Sequence, residues 1–157
     1  IAHNPIKMKA FNGSTGSISN FLVAFICLAF GVMYLIKNSF MPYHSQAVSL
    51  PWTEIDADFQ FLILALIRAV SGGFIVTAIV ITWLQIEFVR TRKHWISLLI
   101  IITGCTMGLA SLYATLIIRS HTPGNPPTIL NALLLCLLVI GYIFNRKSIK
   151  DAPGDQS

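Results

Sequence analysis

Residues 56–87 read DADFQFLILALIRAVSGGFIVTAIVITWLQIE. A bilayer core takes about 20 predominantly apolar residues as helix, and this stretch is longer than that. It reads as a membrane-spanning segment, and it decides the fold class. Within it lie one arginine, Arg68, and the flexible triplet Ser71-Gly72-Gly73.

The depth of Arg68 governs its meaning. Trp83 suits the inner interface, where aromatic belts sit. Counting back about 20 residues at ~1.5 Å each puts the outer interface near Ile63, so Arg68 lies roughly 7 Å inside, within snorkelling reach. At ~100° per residue, Phe61, Leu64, Ala65, Arg68, Ser71, Gly72 and Ile75 share a face. Phe59, Ile63, Leu66, Val70 and Gly73 lie opposite, mostly bulky. Arg68 therefore falls among small residues that let helices approach, and is expected to face the bundle. There it fixes packing, paired with a carboxylate or carbonyls, or it holds an anion. Snorkelling to lipid phosphate is the remaining alternative.

Working outward, the 157-residue chain is 55% hydrophobic and 11% charged, with a mean hydropathy of +0.72. Three further apolar runs, at 18–36, 95–118 and 128–144, join the span at 56–88. One membrane domain results, with no room for a soluble one. The net charge of +5 and pI of 9.4 do not imply a nucleic-acid partner, because the basic residues flank helix ends.

Residues 1–17 are polar, and the run from Asn12 to Ser17 reads as a flexible segment with little to bury. A chain that begins with Ile either lacks an upstream Met or starts at Met8. The first apolar run is longer than a signal core and offers no small-residue cleavage site at Gly31–Leu35, so it reads as an uncleaved span. In the first connector, Tyr43 and Trp52 suit an interfacial belt, and Thr53 with Asp56 has capping-box spacing. Glu54, Asp56 and Asp58 then belong to a first helical turn, or with His44 to a cation site. The third span carries Gly104-x-x-x-Gly108, whose face continues through Ser97, Ser111, Thr115 and Arg119. Such a stripe packs against another helix, and Ser71-Gly72 of the second span is the expected partner, with dimerisation as the rival. Pro126 behind Asn125 opens the fourth span, and residues 145–157 form a polar tail, disordered beyond Lys150.

Eight basic residues (Lys7, Lys9, Arg90, Arg92, Lys93, Arg146, Lys147, Lys150) fall on one side and only Lys37 and Arg119 on the other. The positive-inside rule then puts both termini in the cytoplasm. The expected fold is an all-α integral membrane four-helix bundle, both termini cytoplasmic, in a bacterial inner membrane.

Little chemistry is on offer. Cys27, Cys105 and Cys136 lie inside spans as small apolar residues, without a CxxC pair. No two histidines share a span, which excludes an intramembrane bis-histidine haem site; His44 with His121 is the one external pair. P-loop, nucleophile-elbow, HExxH and dinucleotide patterns are lacking, as are paired inverted repeats. No cofactor or metal is expected.

Phe40-Met41-Pro42-Tyr43-His44, Pro51-Trp52, Ala65-Leu66-Ile67-Arg68 and Gly72-Gly73 resemble a family of small bacterial four-helix membrane proteins. Leu112-Tyr113-Ala114-Thr115, Arg119 and Thr122-Pro123 continue the likeness, which covers roughly Met41 to Ile140. The four-helix plan is also similar to that of DoxX-like proteins, some of which are subunits of quinone-linked oxidoreductases. The first likeness implies that Tyr43, His44, Arg68, Arg119 and the glycine pair form one outward-facing group. The expected function is a non-catalytic accessory or scaffolding subunit, whose partners are the bilayer and a larger complex or further copies of itself. The alternative is a pocket protein, with Arg68, Arg119, His44 and Tyr43 around an anionic lipid head group or a quinone oxygen. An ion or proton conductor stands third, because the inner half of the spans offers a single carboxylate, Glu87, near its edge.

Overall fold

The computed structural model describes residues 5–150, with side chains from Ser14 onward. Five α-helices follow one another: α1 (Pro5–Ile36), α2 (Pro42–Val48), α3 (Ala57–Thr91), α4 (His94–His121) and α5 (Thr128–Lys150). A single 3-10 turn, Trp52–Glu54, precedes α3. Four helices are long and apolar enough to cross a membrane: Ser14–Ile36 within α1, α3, α4 and α5. The chain is thus all-helical in its described part, with the make-up of a multi-pass membrane protein.

The main helix pairs are α1–α3, α3–α4, α4–α5 and α5–α1, which closes the bundle into a ring. Every neighbouring pair is antiparallel. Ser71 of α3 meets Gly31 of α1, whereas Gln85 further along α3 meets Asn20. One end of the bundle carries α2 and the α4–α5 connector. The other carries the start of α1, the α3–α4 turn and the end of α5, and is the basic end.

Apolar and polar residues are inverted relative to a water-soluble bundle. Phe25, Trp83 and Ile129 are exposed, while Asn20, Ser71, Gln85, Ser97 and Asn145 are buried among Val23, Phe74, Ile81, Phe88 and Leu138. In lipid the outward apolar surface costs nothing, and interiors are built from small and hydrogen-bonding side chains.

Several expectations require correction. Asn12–Ser17 is no loose segment: α1 runs through it, because Gly16 packs on Asn145 and Ser17 accepts a bond from Gln85 Nε2 at 2.9 Å. The fourth span does not stop at Phe144 but continues to Lys150, which brings Asn145 into the core; residues 151–157 lie outside the described part. The cap of α3 is Asp56, accepting from Asp58 N–H at 2.9 Å, while Thr53 sits in the 3-10 turn. The Gly104–Gly108 face packs on α5 and not on Ser71-Gly72. A Cβ on Gly104 would come 2.5 Å from Leu138, and one on Gly108 2.7 Å from Leu135. Ser71 instead faces α1, and Gly72 is exposed with nothing within 4 Å of its missing Cβ.

Candidate functional site

The polar side chains gather in two places. The first is a buried amide cluster near the basic end. Gln85 Oε1 accepts from Asn20 Nδ2 at 2.7 Å and from Asn145 Nδ2 at 3.0 Å, tying α1 and α5 to α3. The two asparagine oxygens lie against glycines in a reciprocal exchange, Asn20 on Gly141 and Asn145 on Gly16. Gly16-x-x-x-Asn20 on α1 thus faces Gly141-x-x-x-Asn145 on α5 in opposite direction. Each glycine gives the opposing amide the room that a Cβ would take. With its members 0% exposed, this cluster is a clamp between helices and has no opening to a ligand.

The second place, at the α2 end, does open outward. Here two contacts with the α4–α5 connector hold α2 down: Gln46 Oε1 accepts from Asn125 N–H at 3.3 Å, and Gly124 lets the connector approach the α2 backbone at Tyr43. Within the first turn of α2, Met41 N–H donates to His44 Nδ1 at 3.4 Å. Phe40, buried, stacks edge-on against Trp52 and His44 with centroids at 4.7 and 5.9 Å. So anchored, α2 places the Tyr43 hydroxyl 3.1 Å from that of Tyr34 on α1. Burial, and after it the bond to Tyr34, pushes the Tyr43 phenol above its ordinary range, so it stays protonated. Burial lowers the His44 pKa from its ordinary 6.5, favouring the neutral imidazole.

Below this roof α3 and α4 part around a cleft of about 530 Å³. Ala69, Val70, Gly73 and Phe74 line one wall, Met107, Ala110, Ser111 and Ala114 the other, and Tyr34, Tyr43 and His44 the top. A second cavity of about 480 Å³ adjoins it, sharing Tyr34 and Tyr43, with Arg119 and Gln46 in its lining.

The four residues marked out by sequence therefore do not converge. Tyr43 and His44 roof the cleft, Arg119 lies across Tyr43 in the other cavity, and Arg68 lines neither. Arg68 does not face the bundle: it is exposed and reaches Asn38 Oδ1 at 3.5 Å, a neutral partner in place of an acid. Ser111 donates to Asn131 Oδ1 at 3.2 Å, and Asn131 donates to Thr115 at 3.3 Å, which joins α4 to α5 behind the cleft. Tyr34, Asn20, Gln85 and Asn145 escape the sequence reading. Tyr34 ends a span like any interfacial tyrosine; Gln85 and Asn145 sit at span edges, where polar residues are ordinary. The repeated G-x-x-x-N spacing was the available signal. Among the described residues no three or more His, Cys, Asp or Glu side chains gather as a metal site.

Comparison with protein-family models, curated proteins and solved structures returns no match.

Proposed function

We propose that the chain is a multi-pass protein of a bacterial inner membrane that binds, without transforming it, a lipid-soluble molecule carrying an acceptor oxygen. The α3–α4 cleft is its seat, and a quinone carbonyl or a lipid ester supplies the oxygen. One observation carries this reading: the Tyr34–Tyr43 pair at the cleft roof. Two phenols that share one hydrogen bond keep a second O–H to donate, and Tyr43 stays protonated. Apolar walls with a small number of placed polar groups are the usual make-up of such sites. A neutral acceptor suits the cleft better than an anion, since neither Arg68 nor Arg119 lines it.

The full chain, purified in mild detergent and extracted, should release a quinone or a phospholipid on mass spectrometry. Ala110→Leu, which fills the cleft, should abolish retention. Tyr43→Phe should lower it roughly fivefold, the equivalent of about 1 kcal/mol for one hydrogen bond. Equal retention by both variants and the parent chain would place the molecule elsewhere.

A scaffolding role, within a larger complex or between copies of the chain, is the second reading. Ala65, Ala69 and Gly72 lie one turn apart on α3, all exposed, and nothing stands within 4 Å of a Cβ on Gly72. Small residues in that spacing admit a close neighbouring helix.

A further inference from the structure

A groove of about 810 Å³ runs between α1 and α3 towards the basic end. Its walls are apolar and outward-facing; Phe25 and Trp83 within it are 68% and 71% exposed. Along α3 it extends from Ala78 to Arg90, a rise of roughly 18 Å. That is about one leaflet, given a hydrocarbon core ~30 Å thick and the head groups beyond it. Two opposite charges, Glu87 and Arg90, stand at the mouth. Three residues apart, they are neighbours on one face of α3, separated by about 4.5 Å of rise, within the span of one lipid head group. Among the described residues no hydrogen bond or ion pair engages either side chain.

We infer that this groove holds an acyl chain of a zwitterionic aminophospholipid of the phosphatidylethanolamine type, with its phosphate on Arg90 and its ammonium on Glu87. The apolar depth fits one chain in one leaflet, and the two charges match a head that carries both signs. A primary ammonium donates charge-assisted hydrogen bonds to a carboxylate, whereas a quaternary choline has no N–H to give. A purely anionic head would gain Arg90 but set its own charge against Glu87, which makes the pair selective as well as attractive. The inference requires the chain to lie in a bilayer, as the proposed function does, but no ligand in the α3–α4 cleft.

Trp83 lies in the groove and reports on its occupant. Trp52 and Trp95 are the remaining tryptophans, so a full chain carrying Trp52→Phe and Trp95→Phe emits from Trp83 alone. Reconstituted in phosphatidylcholine vesicles, it is titrated with phosphatidylethanolamine, phosphatidylglycerol or phosphatidylcholine brominated on the acyl chain. Brominated phosphatidylethanolamine should quench Trp83 most strongly at equal mole fraction. Glu87→Gln should erase its advantage over phosphatidylglycerol. Arg90→Gln should weaken association of both by roughly fivefold, the factor for one basic residue at a phosphate surface. Equal quenching by the three heads, or an ethanolamine preference that survives Glu87→Gln, overturns the inference. Absence of quenching by every lipid does so too, because the groove is then covered by protein.

Discussion

A methyl group added at Gly141 would run into the Asn20 amide, whose Nδ2 is already committed to Gln85 Oε1 at 2.7 Å. Asn20 is fully buried, so relief must come from separating α1 and α5 or from breaking that bond. Either costs about 1–3 kcal/mol. Gly141→Ala should therefore lower the thermal midpoint of the detergent-solubilised protein. Gly72→Ala, into open space, should leave it unchanged or raise it slightly, since alanine is favoured over glycine in a helix by about 1 kcal/mol. Equal midpoints for the two variants would mean that the reciprocal Asn–Gly contacts do not hold α1 on α5. In the sequence the two glycines look alike, and Gly72, beside an intramembrane arginine, even looks the more meaningful. What separates them is the opposing helix, and spacing on one helix is silent about that.

Among the elements, α2 depends most on a few contacts, for it has seven residues and none of them is buried. The rings against His44 are those of Phe40 and Tyr43, with centroids at 5.9 and 4.2 Å. Burial holds the His44 pKa below 6.5 in the docked state, so that state binds fewer protons than a released α2 does. Its contribution is complete above the ordinary value and is lost as pH falls through the depressed one. Amides of α2 should then exchange hydrogen faster as pH drops from about 7.5 to about 5, after correction for the intrinsic rate. A His44→Phe chain should lose that acceleration; if it does not, another group controls the docking. The four long helices were legible in the sequence because length and hydropathy alone mark a span. The docking of α2 and the partner of the Gly104–Gly108 face were not. A small stripe announces a close neighbour without choosing between helices, and here Leu135 and Leu138 of α5 fill the space that Ser71-Gly72 was expected to occupy.

At the scale of the whole molecule, the antiparallel ring puts the start of α1, the α3–α4 turn and the end of α5 at one end. Four candidate spans therefore leave a single question of sidedness. Arg90, Arg92, Lys93, Arg146, Lys147 and Lys150 are at the basic end, whereas Lys37, Arg68 and Arg119 are near the other. Each basic residue near an anionic cytoplasmic leaflet contributes about 1 kcal/mol, so the excess amounts to a few kcal/mol for the basic end inside. Arg92 is the least free of these charges to vary. It terminates α3 in the left-handed region at φ 53°, donates to Ser148 at 3.0 Å and stacks over Phe88. Labelling is better directed at exposed Lys93 and, at the opposite end, exposed Thr53. In a chain freed of its native thiols by Cys27→Ala, Cys105→Ala and Cys136→Ala, Thr53→Cys should react with a membrane-impermeant maleimide in intact spheroplasts. Lys93→Cys should react only after the membrane is opened. Labelling of Lys93→Cys from outside would invert the orientation; it would also move the Glu87–Arg90 groove to the outer leaflet and the Tyr34–Tyr43 cleft to the inner one.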